Sequence, residues 1–248
     1  MHNLRKLGII QPGRIGDIII CLPIAKYYFN KGYEIIWPID KKYINHFVDY
    51  INYVRFVESP CHVQSCYNIC LQSGCNNIID LSFRLPGPVN NFNSTNFELG
   101  TLRFDELKYE IANVPFEEKY NLSITRNKDK ENQLVEELKI NNKKYSVIHT
   151  QGSDGYRPSF DRNIFKNNLV IEISERTKSV FDWIKVLEDS ESLCMIDSCF
   201  SNLCNQLKLK QKKYFIHRLP PNVAPKVSND WIELNNSLIT MAQKPQDA

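Results

Sequence analysis

The sequence predicts an α/β protein made of two parallel-sheet halves, on three observations. Short apolar runs recur with helix-length segments between them, which is the alternation of βαβ units. The runs are apolar throughout instead of at every second residue, as strands covered on both faces require. The alternation breaks once, at a polar stretch in the middle of the chain, and then starts again.

In the first half the strand-like runs are Lys6 to Gln11, Glu34 to Ile39, Val54 to Glu58 and Ile78 to Ser82. Helices are expected at Asp17 to Asn30, Tyr43 to Ile51 and about Val63 to Gln72. The segment "RLPGPVNNFNSTNFELG" from Arg84 to Gly100 has no period and is expected to be a long loop. A helix near Phe104 to Asn113, a short strand at Tyr120 to Ile124 and a polar helix at Asp129 to Lys139 follow, with "TRNKDKENQ" as the linker. The second half carries strands at Tyr145 to Thr150, Leu169 to Ser174, Leu193 to Asp197 and Lys213 to His217, with helices at Ser179 to Asp189 and Cys199 to Leu207. The resulting domains are 1–125 and 126–248.

Composition excludes several classes. No stretch approaches the roughly 20 apolar residues of a membrane span, and Met1 to Lys6 leads straight into a strand without a signal-peptide pattern. The expectation is a cytoplasmic protein, or one of a host's cytoplasm if the chain is viral. Cys61, Cys66, Cys70 and Cys75 stand four, three and four residues apart, which fits no C-x-x-C metal knuckle and in a reducing compartment predicts free thiols. No metal site is expected. Cys194, Cys199 and Cys204 read as small core residues. A net charge of +3 is too small to announce a nucleic-acid binder, although Lys208 to Arg218 is a basic run.

The joint "IIQPGRIGDIIICL", Ile9 to Leu22, is the first candidate site. In a parallel sheet the turn after a strand's carboxyl end faces the ligand crevice. Gly13 and Gly16 suit such a turn, while their spacing is not the dinucleotide fingerprint G-x-G-x-x-G. Ile18, Leu22, Ala25 and Phe29 give the following helix one buried stripe and leave Asp17 in its first turn, where it can cap the helix. Pro23 is expected to kink that helix.

Two joints in the second half can hold an anion. In "VIHTQGSDGYRPSFDR", Gly152, Ser153 and Gly155 can present backbone N–H groups to a phosphate, with Arg157, Arg162 or Lys166 to neutralise it. Asp197, Ser198 and Cys199 stand where a strand passes into a helix, a natural anion site or a plain helix cap. Glu172 or Glu175, after "LVIEIS", could accept hydrogen bonds from ribose hydroxyls, and Glu175 lies nearer the loop.

"GRIGDIIICLPIAKYY" resembles the N-terminal motif of the heptosyltransferase-like glycosyltransferases, and "DWIKVLEDSESLCMIDSCFSNLCNQL" resembles their helix, strand and Asp-Ser/Thr-Gly joint. Cys199 replaces the glycine usual in that joint, and Asn202 with Cys204 replaces a histidine and an alanine. The resemblance implies a compact GT-B-like fold of two Rossmann-like domains, the first on the acceptor side and the second binding a nucleotide sugar. It implies an inverting, metal-independent transfer to a glycan of the lipopolysaccharide type, with no cofactor beyond the nucleotide-sugar co-substrate. The general-base role then falls on Asp17, with Gly13, Arg14 and Gly16 shaping the acceptor side. Arg157 is the preferred cation at the leaving diphosphate, and Gly152, Ser153, Glu175, Asp197, Ser198 and Cys199 form the donor site. Two other readings stand beside it: transfer to a hydroxylated base in DNA, served by the basic run, and a non-catalytic nucleotide-sugar binding module.

Overall fold

The computed structural model describes residues 5–82, 102–153, 155–158, 160–165, 168–218 and 224–234. The chain divides into two compact units, Met1–Arg126 and Asn127–Ala248.

The first unit is a sheet of β1 (Arg5–Ile10), β2 (Tyr33–Asp40), β3 (Arg55–Ser59) and β4 (Asn77–Asp80), in the order β3-β2-β1-β4. All three strand pairs are parallel. Leu7, Ile9 and Ile10 of the central strand are buried, as are Ile35, Ile36, Trp37 and Ile39 beside them. Gly8 interrupts β1 for a steric reason: a Cβ there would come within 2.7 Å of the Cys70 Sγ. Its absence lets α3 (Val63–Gln72) seat on the sheet. The other helices of this unit are α1 (Ile15–Asn30), α2 (Lys41–Phe47) and α4 (Phe104–Ile111).

In α1 every residue from Ile18 to Ala25 is buried, Pro23 included. The Tyr109 hydroxyl of α4 donates to the carbonyl of Ile20 at 2.9 Å, and the Tyr28 hydroxyl donates to the carbonyl of Ala112 at 2.6 Å, so the C-terminal end of α4 is tied to α1 at two points. Inside that contact lies an ion pair between Asp105 of α4 and Lys119, 2.5 Å apart and both 0% exposed.

The second unit holds α5 (Lys128–Glu137), α6 (Ile184–Glu188), α7 (Cys199–Gln206) and a sheet of β5 (Tyr145–His149), β6 (Leu169–Glu172), β7 (Ser192–Ile196), β8 (Lys212–Ile216) and β9 (Trp231–Leu234). Its order is β6-β5-β7-β8-β9, again all parallel. Ile148, Cys194, Ile196, Tyr214 and Ile216 pack with Phe165 into one apolar cluster. The polar residues within the central strands satisfy each other, as Ser146 Oγ and Ser192 Oγ do at 2.9 Å. Lys213 of β8 is buried, its ammonium donating to the carbonyl of Leu209 and the carboxylate of Asp230.

The structure departs from the sequence expectations at several points. Tyr120 to Ile124 is not a strand: a 3-10 turn at Phe116–Tyr120 is followed by chain without strand pairing. That turn directs Lys119 inward to Asp105 and stacks Phe116 edge-on to Tyr109 at 5.4 Å, contacts that a strand here would forfeit. The units divide within the expected linker, and the helix expected at Asp129 to Lys139 is α5, which starts one residue earlier because the Asn127 side chain accepts from Lys130 N at 3.1 Å. The helix expected at Ser179 to Asp189 is a 3-10 turn, Val180–Trp183, running into the shorter α6. α2 starts earlier, capped by Asp40, and ends at Phe47 instead of Ile51. The last strand, β9, was not expected. Arg84 to Gly100 lies outside the described residues.

The Asp105–Lys119 pair sets a stability test. Asp105→Ala leaves a buried ammonium without its carboxylate, so the urea unfolding free energy should fall by about 3 to 5 kcal/mol. Replacing Asp105 and Lys119 together by leucine and methionine should recover most of that loss, while Glu58→Ala, which breaks the exposed Lys41–Glu58 pair, should change it by less than about 1 kcal/mol.

Candidate functional site

In each unit the strand order reverses next to the first strand. The switch points lie between β1 and β4 in the first sheet and between β5 and β7 in the second. A parallel sheet opens its ligand crevice there, outside the carboxyl ends of the strands. The candidate residues gather at these two edges.

At the first edge the β1–α1 loop runs Gln11-Pro12-Gly13-Arg14. The helix begins two residues earlier than expected, at Ile15, with Arg14 as its N-cap and no side-chain capping bond. Asp17 is therefore not the helix cap but the third residue of its first turn, half-buried. Arg14 is exposed and holds φ at 61°, a conformation rare for a residue with a Cβ and a mark of stored strain. Gly13 is buried, and a Cβ there would come within 2.7 Å of the Cys61 Sγ. Glycine at 13 thus lets the loop that follows β3 close against the loop that follows β1. Gly16 is half-buried one residue before Asp17.

Three hydrogen bonds fix this loop. Gln11 Nε2 donates to the carbonyl of Gly13 at 3.0 Å, Trp37 Nε1 donates to the carbonyl of Gln11 at 3.1 Å, and Asp40 N donates to the carbonyl of Pro12 at 2.9 Å. Behind them lies Lys108 of α4, 2% exposed, whose ammonium donates to Gln11 Oε1 at 2.6 Å and to the carbonyl of Leu81, just past β4. Cys21, one turn into α1 from Asp17, has its thiol pushed up to about 12 by burial, partly opposed by the charge of Lys108 and reinforced by those of Asp17 and Asp105.

At the second edge the two central strands are tied together. His149, the last residue of β5, places Nδ1 3.0 Å from the Oγ of Ser198, which follows β7. Ser198 caps α7 reciprocally with Ser201: its hydroxyl accepts from Ser201 N at 3.4 Å, and Ser201 Oγ accepts from Ser198 N at 2.9 Å. Asp197 is 3% exposed and accepts from Arg218 N at 3.1 Å and Arg218 Nε at 3.3 Å, which spends its carboxylate on the residues following β8. Cys199 is half-buried in the first turn of α7, its thiol pushed up to about 12 by desolvation and pulled down in part by the N–H groups of Phe200 and its own residue. Desolvation, with the nearby charge of Arg218, holds the His149 imidazole down at about 4, so it is neutral at neutral pH. Its ring packs against Phe200 at a tilt of 51°, with centroids 4.9 Å apart.

The loop after β5 carries buried Gly152 and exposed Ser153. A tight turn closes it, Gly152 N donating to the carbonyl of Tyr156 at 2.8 Å and Gly155 N to that of Gly152 at 3.0 Å, with Gly155 at φ 82°. Arg157 is exposed and donates to Gln151 Oε1 at 2.5 Å within the same loop. Arg162 lies in the 3-10 turn that follows and faces Glu172 at 3.9 Å. Lys166 lies outside the described residues. Glu175 is exposed beyond the end of β6.

The structure thus places Gly13 and Arg14 on the β1–α1 loop and Gly16 and Asp17 in the first turn of the helix that follows, and joins the β5 end, which precedes Gly152, Ser153 and Arg157, to Asp197, Ser198 and Cys199 through the His149–Ser198 bond. Sequence reasoning missed His149, Lys108 and Gln11. His149 and Gln11 each carried a local signal, a polar residue closing an apolar run at a strand's carboxyl end, and Lys108 carried none. The basic run from Lys208 to Arg218 does not form one cationic surface, since Lys213 is buried on Asp230 and Arg218 is taken by Asp197. Cys66, Cys70 and Cys75 are buried free thiols and Cys61 is an exposed one. Among the described residues no group of three or more His, Cys, Asp and Glu side chains is placed to hold a metal ion. None of the described helices is long and apolar enough to cross a membrane.

No family model matches the sequence, and no curated protein matches it. Solved structures do match the fold. A family 9 glycosyl transferase from Veillonella parvula superposes with a TM-score of 0.59 at 9% identity, over 93% of this chain and 85% of its own. The ADP-heptose lipopolysaccharide heptosyltransferase II of E. coli gives 0.59 at 8% identity, over 93% and 90%. The iron-containing dodecameric glycosyltransferase TibC of enterotoxigenic E. coli gives 0.56 at 11% identity, over 98% and 71%. The chain has the fold of the heptosyltransferase-like GT-B glycosyltransferases, two Rossmann-like units in a compact version.

The neutral His149 gives this edge a pH signature. The unfolded chain takes up the histidine proton near pH 6.5 and the folded protein near 4. Between those values the unfolded state binds more protons, so stability is complete above the window and falls as pH drops through it, by at most about 3 kcal/mol. His149→Asn, which keeps a hydrogen-bonding group near the position of Nδ1, should flatten that fall when urea midpoints are compared at about pH 7.5 and about pH 4.5.

Proposed function

We propose that this protein is a glycosyltransferase that moves a sugar from a nucleotide-sugar donor to an acceptor hydroxyl, inverting the anomeric centre and needing no metal ion or other cofactor. The observation that carries the proposal is the fold match over 93% of the chain to a heptosyltransferase that acts on lipopolysaccharide, with this chain's candidate polar groups gathered at the carboxyl edges of the same two sheets. A further neighbour of the same fold, the E. coli heptosyltransferase WaaC, was solved with ADP and matches with a TM-score of 0.51 at 9% identity, over 92% of this chain and 92% of its own. The donor class is accordingly a nucleoside diphosphate sugar and the acceptor a glycan.

The two edges suit different steps. Asp17, in the first turn of α1 just after a loop fixed at Gln11, Pro12 and Gly13, is the general base that takes the proton from the acceptor hydroxyl. The acceptor oxygen then forms its bond to the anomeric carbon from the face opposite the leaving group, and the bond from that carbon to the donor phosphate breaks with its electron pair going to the nucleoside diphosphate. In the second unit, the start of α7 and the Arg157 guanidinium are the groups assigned to the diphosphate and to the charge it gains. Ser198 and Asp197 act through position: their side chains are engaged by His149, Ser201 and Arg218, and they hold the start of α7 in place. Fixed dipoles and an arginine can do at the diphosphate what a divalent cation does elsewhere.

Asp17→Ala should lower kcat by about 10²- to 10⁴-fold while leaving donor affinity unchanged, since the base acts on the acceptor alone. Arg157→Ala should instead weaken binding of the nucleoside diphosphate, measured by calorimetry. Normal turnover by folded Asp17→Ala would refute the assigned base, and a thermal-shift panel of nucleotide sugars with no response at any concentration would refute the donor.

The metal-free reading is tested separately. Transfer should proceed at the same rate in EDTA as in magnesium or manganese. Activity lost in EDTA and restored by a divalent or ferrous ion would overturn it.

A further inference from the structure

Three lysines of the described residues are almost wholly buried, and they are not alike. Lys119 is 0% exposed against the carboxylate of Asp105, and Lys213 is 1% exposed against that of Asp230. Lys108 is 2% exposed, and its ammonium meets only neutral oxygens, the Gln11 side-chain carbonyl at 2.6 Å and the main-chain carbonyl of Leu81. The Phe104 ring lies 6.0 Å from it. A lysine is almost never buried without a carboxylate, because removing the charge from water costs several kcal/mol that neutral acceptors repay in part. Such a group marks a place where the fold accepts a cost for another reason.

Its location supplies the reason. Gln11 follows β1 and Leu81 follows β4, so the Lys108 ammonium spans the switch point of the first sheet. With Oε1 of Gln11 held by Lys108, the amide of Gln11 is turned so that Nε2 donates to Gly13 at 3.0 Å. Gly13 precedes Arg14, whose φ of 61° must be imposed by its surroundings. Three residues further on is Asp17. The charged groups sharing this neighbourhood are Arg14 on the loop, Cys21 on α1, Lys108 and Asp105 on α4, and Lys119 on the 3-10 turn. Asp105 is neutralised by Lys119, and Cys21 is held protonated by burial. Lys108 is therefore a buried cation whose charge is felt at Cys21, one turn beyond Asp17 on α1, and whose hydrogen-bond partners include no carboxylate.

We propose that Lys108 is a positioning residue for Asp17: through Gln11 it locks the strained β1–α1 loop, and its charge keeps the Asp17 carboxylate ionised. This rests on the reading of Asp17 as the general base, and it makes a claim that can be measured without turnover. Lys108→Met removes both the hydrogen bonds and the charge; Lys108→Gln keeps a donor and removes the charge; Gln11→Leu keeps the charge and cuts the link to the loop.

The Asp17 carboxyl is titrated by carbon-13 NMR in the wild type and the three variants, and exchange of the amides from Ile15 to Asp17 is followed in parallel. The Asp17 pKa should rise by about one unit in Lys108→Met and Lys108→Gln, because an opposite charge has been lost, and should stay in place in Gln11→Leu. Amide exchange should speed by about tenfold or more in Lys108→Met and Gln11→Leu, and less in Lys108→Gln. In transfer assays kcat should fall about tenfold or more in all three, with donor KM within about twofold, and the acid limb of the pH profile should move up only in the two Lys108 variants. An unmoved Asp17 pKa with unmoved amide exchange in every folded variant overturns the proposal. If the NMR shifts appear but the wild type transfers no sugar from any nucleotide donor, the positioning of Asp17 stands and the glycosyltransferase reading fails.

Discussion

A strand covered on both faces has room for polar groups only at its ends, and the chemistry of this protein is arranged around that constraint. In both units the central strands are apolar from side to side, with Ile9, Ile10, Ile36 and Ile39 in one sheet and Val147, Ile148, Leu193 and Ile196 in the other. Where a polar residue does fall inside, it is paired at once, as Ser146 is with Ser192. Polar side chains therefore collect past the carboxyl ends, and a parallel arrangement puts all those ends on one edge. Gln11 and Ser198 stand just past such ends and His149 at one, and their side chains, with the main-chain carbonyl of Leu81, bond across to a neighbouring element.

The same constraint explains what the sequence makes legible. The joints at Gly13 to Asp17 and Asp197 to Cys199 are local: a run of apolar residues stops, small or polar residues follow, and a helical stripe begins. Both were readable, as was the existence of all but one of the strands. β9 was not, since its four residues carry an exposed Ile232 and Glu233 and its place beside β8 rests on a distant contact between Lys213 and Asp230. Tyr120 to Ile124 failed in the opposite way. It has apolar residues enough for a strand, yet the turn before it is committed to burying Lys119 against Asp105.

The supporting residues of the candidate site were invisible for a related reason. Lys108 touches Gln11 across 97 positions of sequence, and His149 touches Ser198 across 49. Nothing in a helix reading "FDELKYEI" distinguishes a lysine that faces water from one that closes a sheet edge. Sequence pattern locates loops and helix starts, while partners across the fold determine how those loops are held. The first turn of α1 illustrates it: pattern alone put a cap at Asp17, and the structure puts the cap at Arg14 and leaves the aspartate in the first turn.

The two edges also differ in how they handle charge, and the difference suits opposite tasks. At the second edge ionisable groups are neutral or spent: burial keeps His149 deprotonated and Cys199 protonated, and Asp197 is bound to Arg218. The groups that the proposed donor role calls on are the start of α7, already ordered by its Ser198–Ser201 cap, and the exposed Arg157. At the first edge the fold does the reverse and buries the Lys108 ammonium against neutral oxygens. A base must be ionised before it can accept a proton, and a carboxylate half-withdrawn from water loses that readiness unless a cation offsets the desolvation. Stabilising a departing anion calls for fixed dipoles, whereas keeping a carboxylate ready calls for a charge. The chain has a helix start beside Ser198 and a buried ammonium on Gln11, six residues before Asp17, which is the division that the proposed roles of the two edges call for.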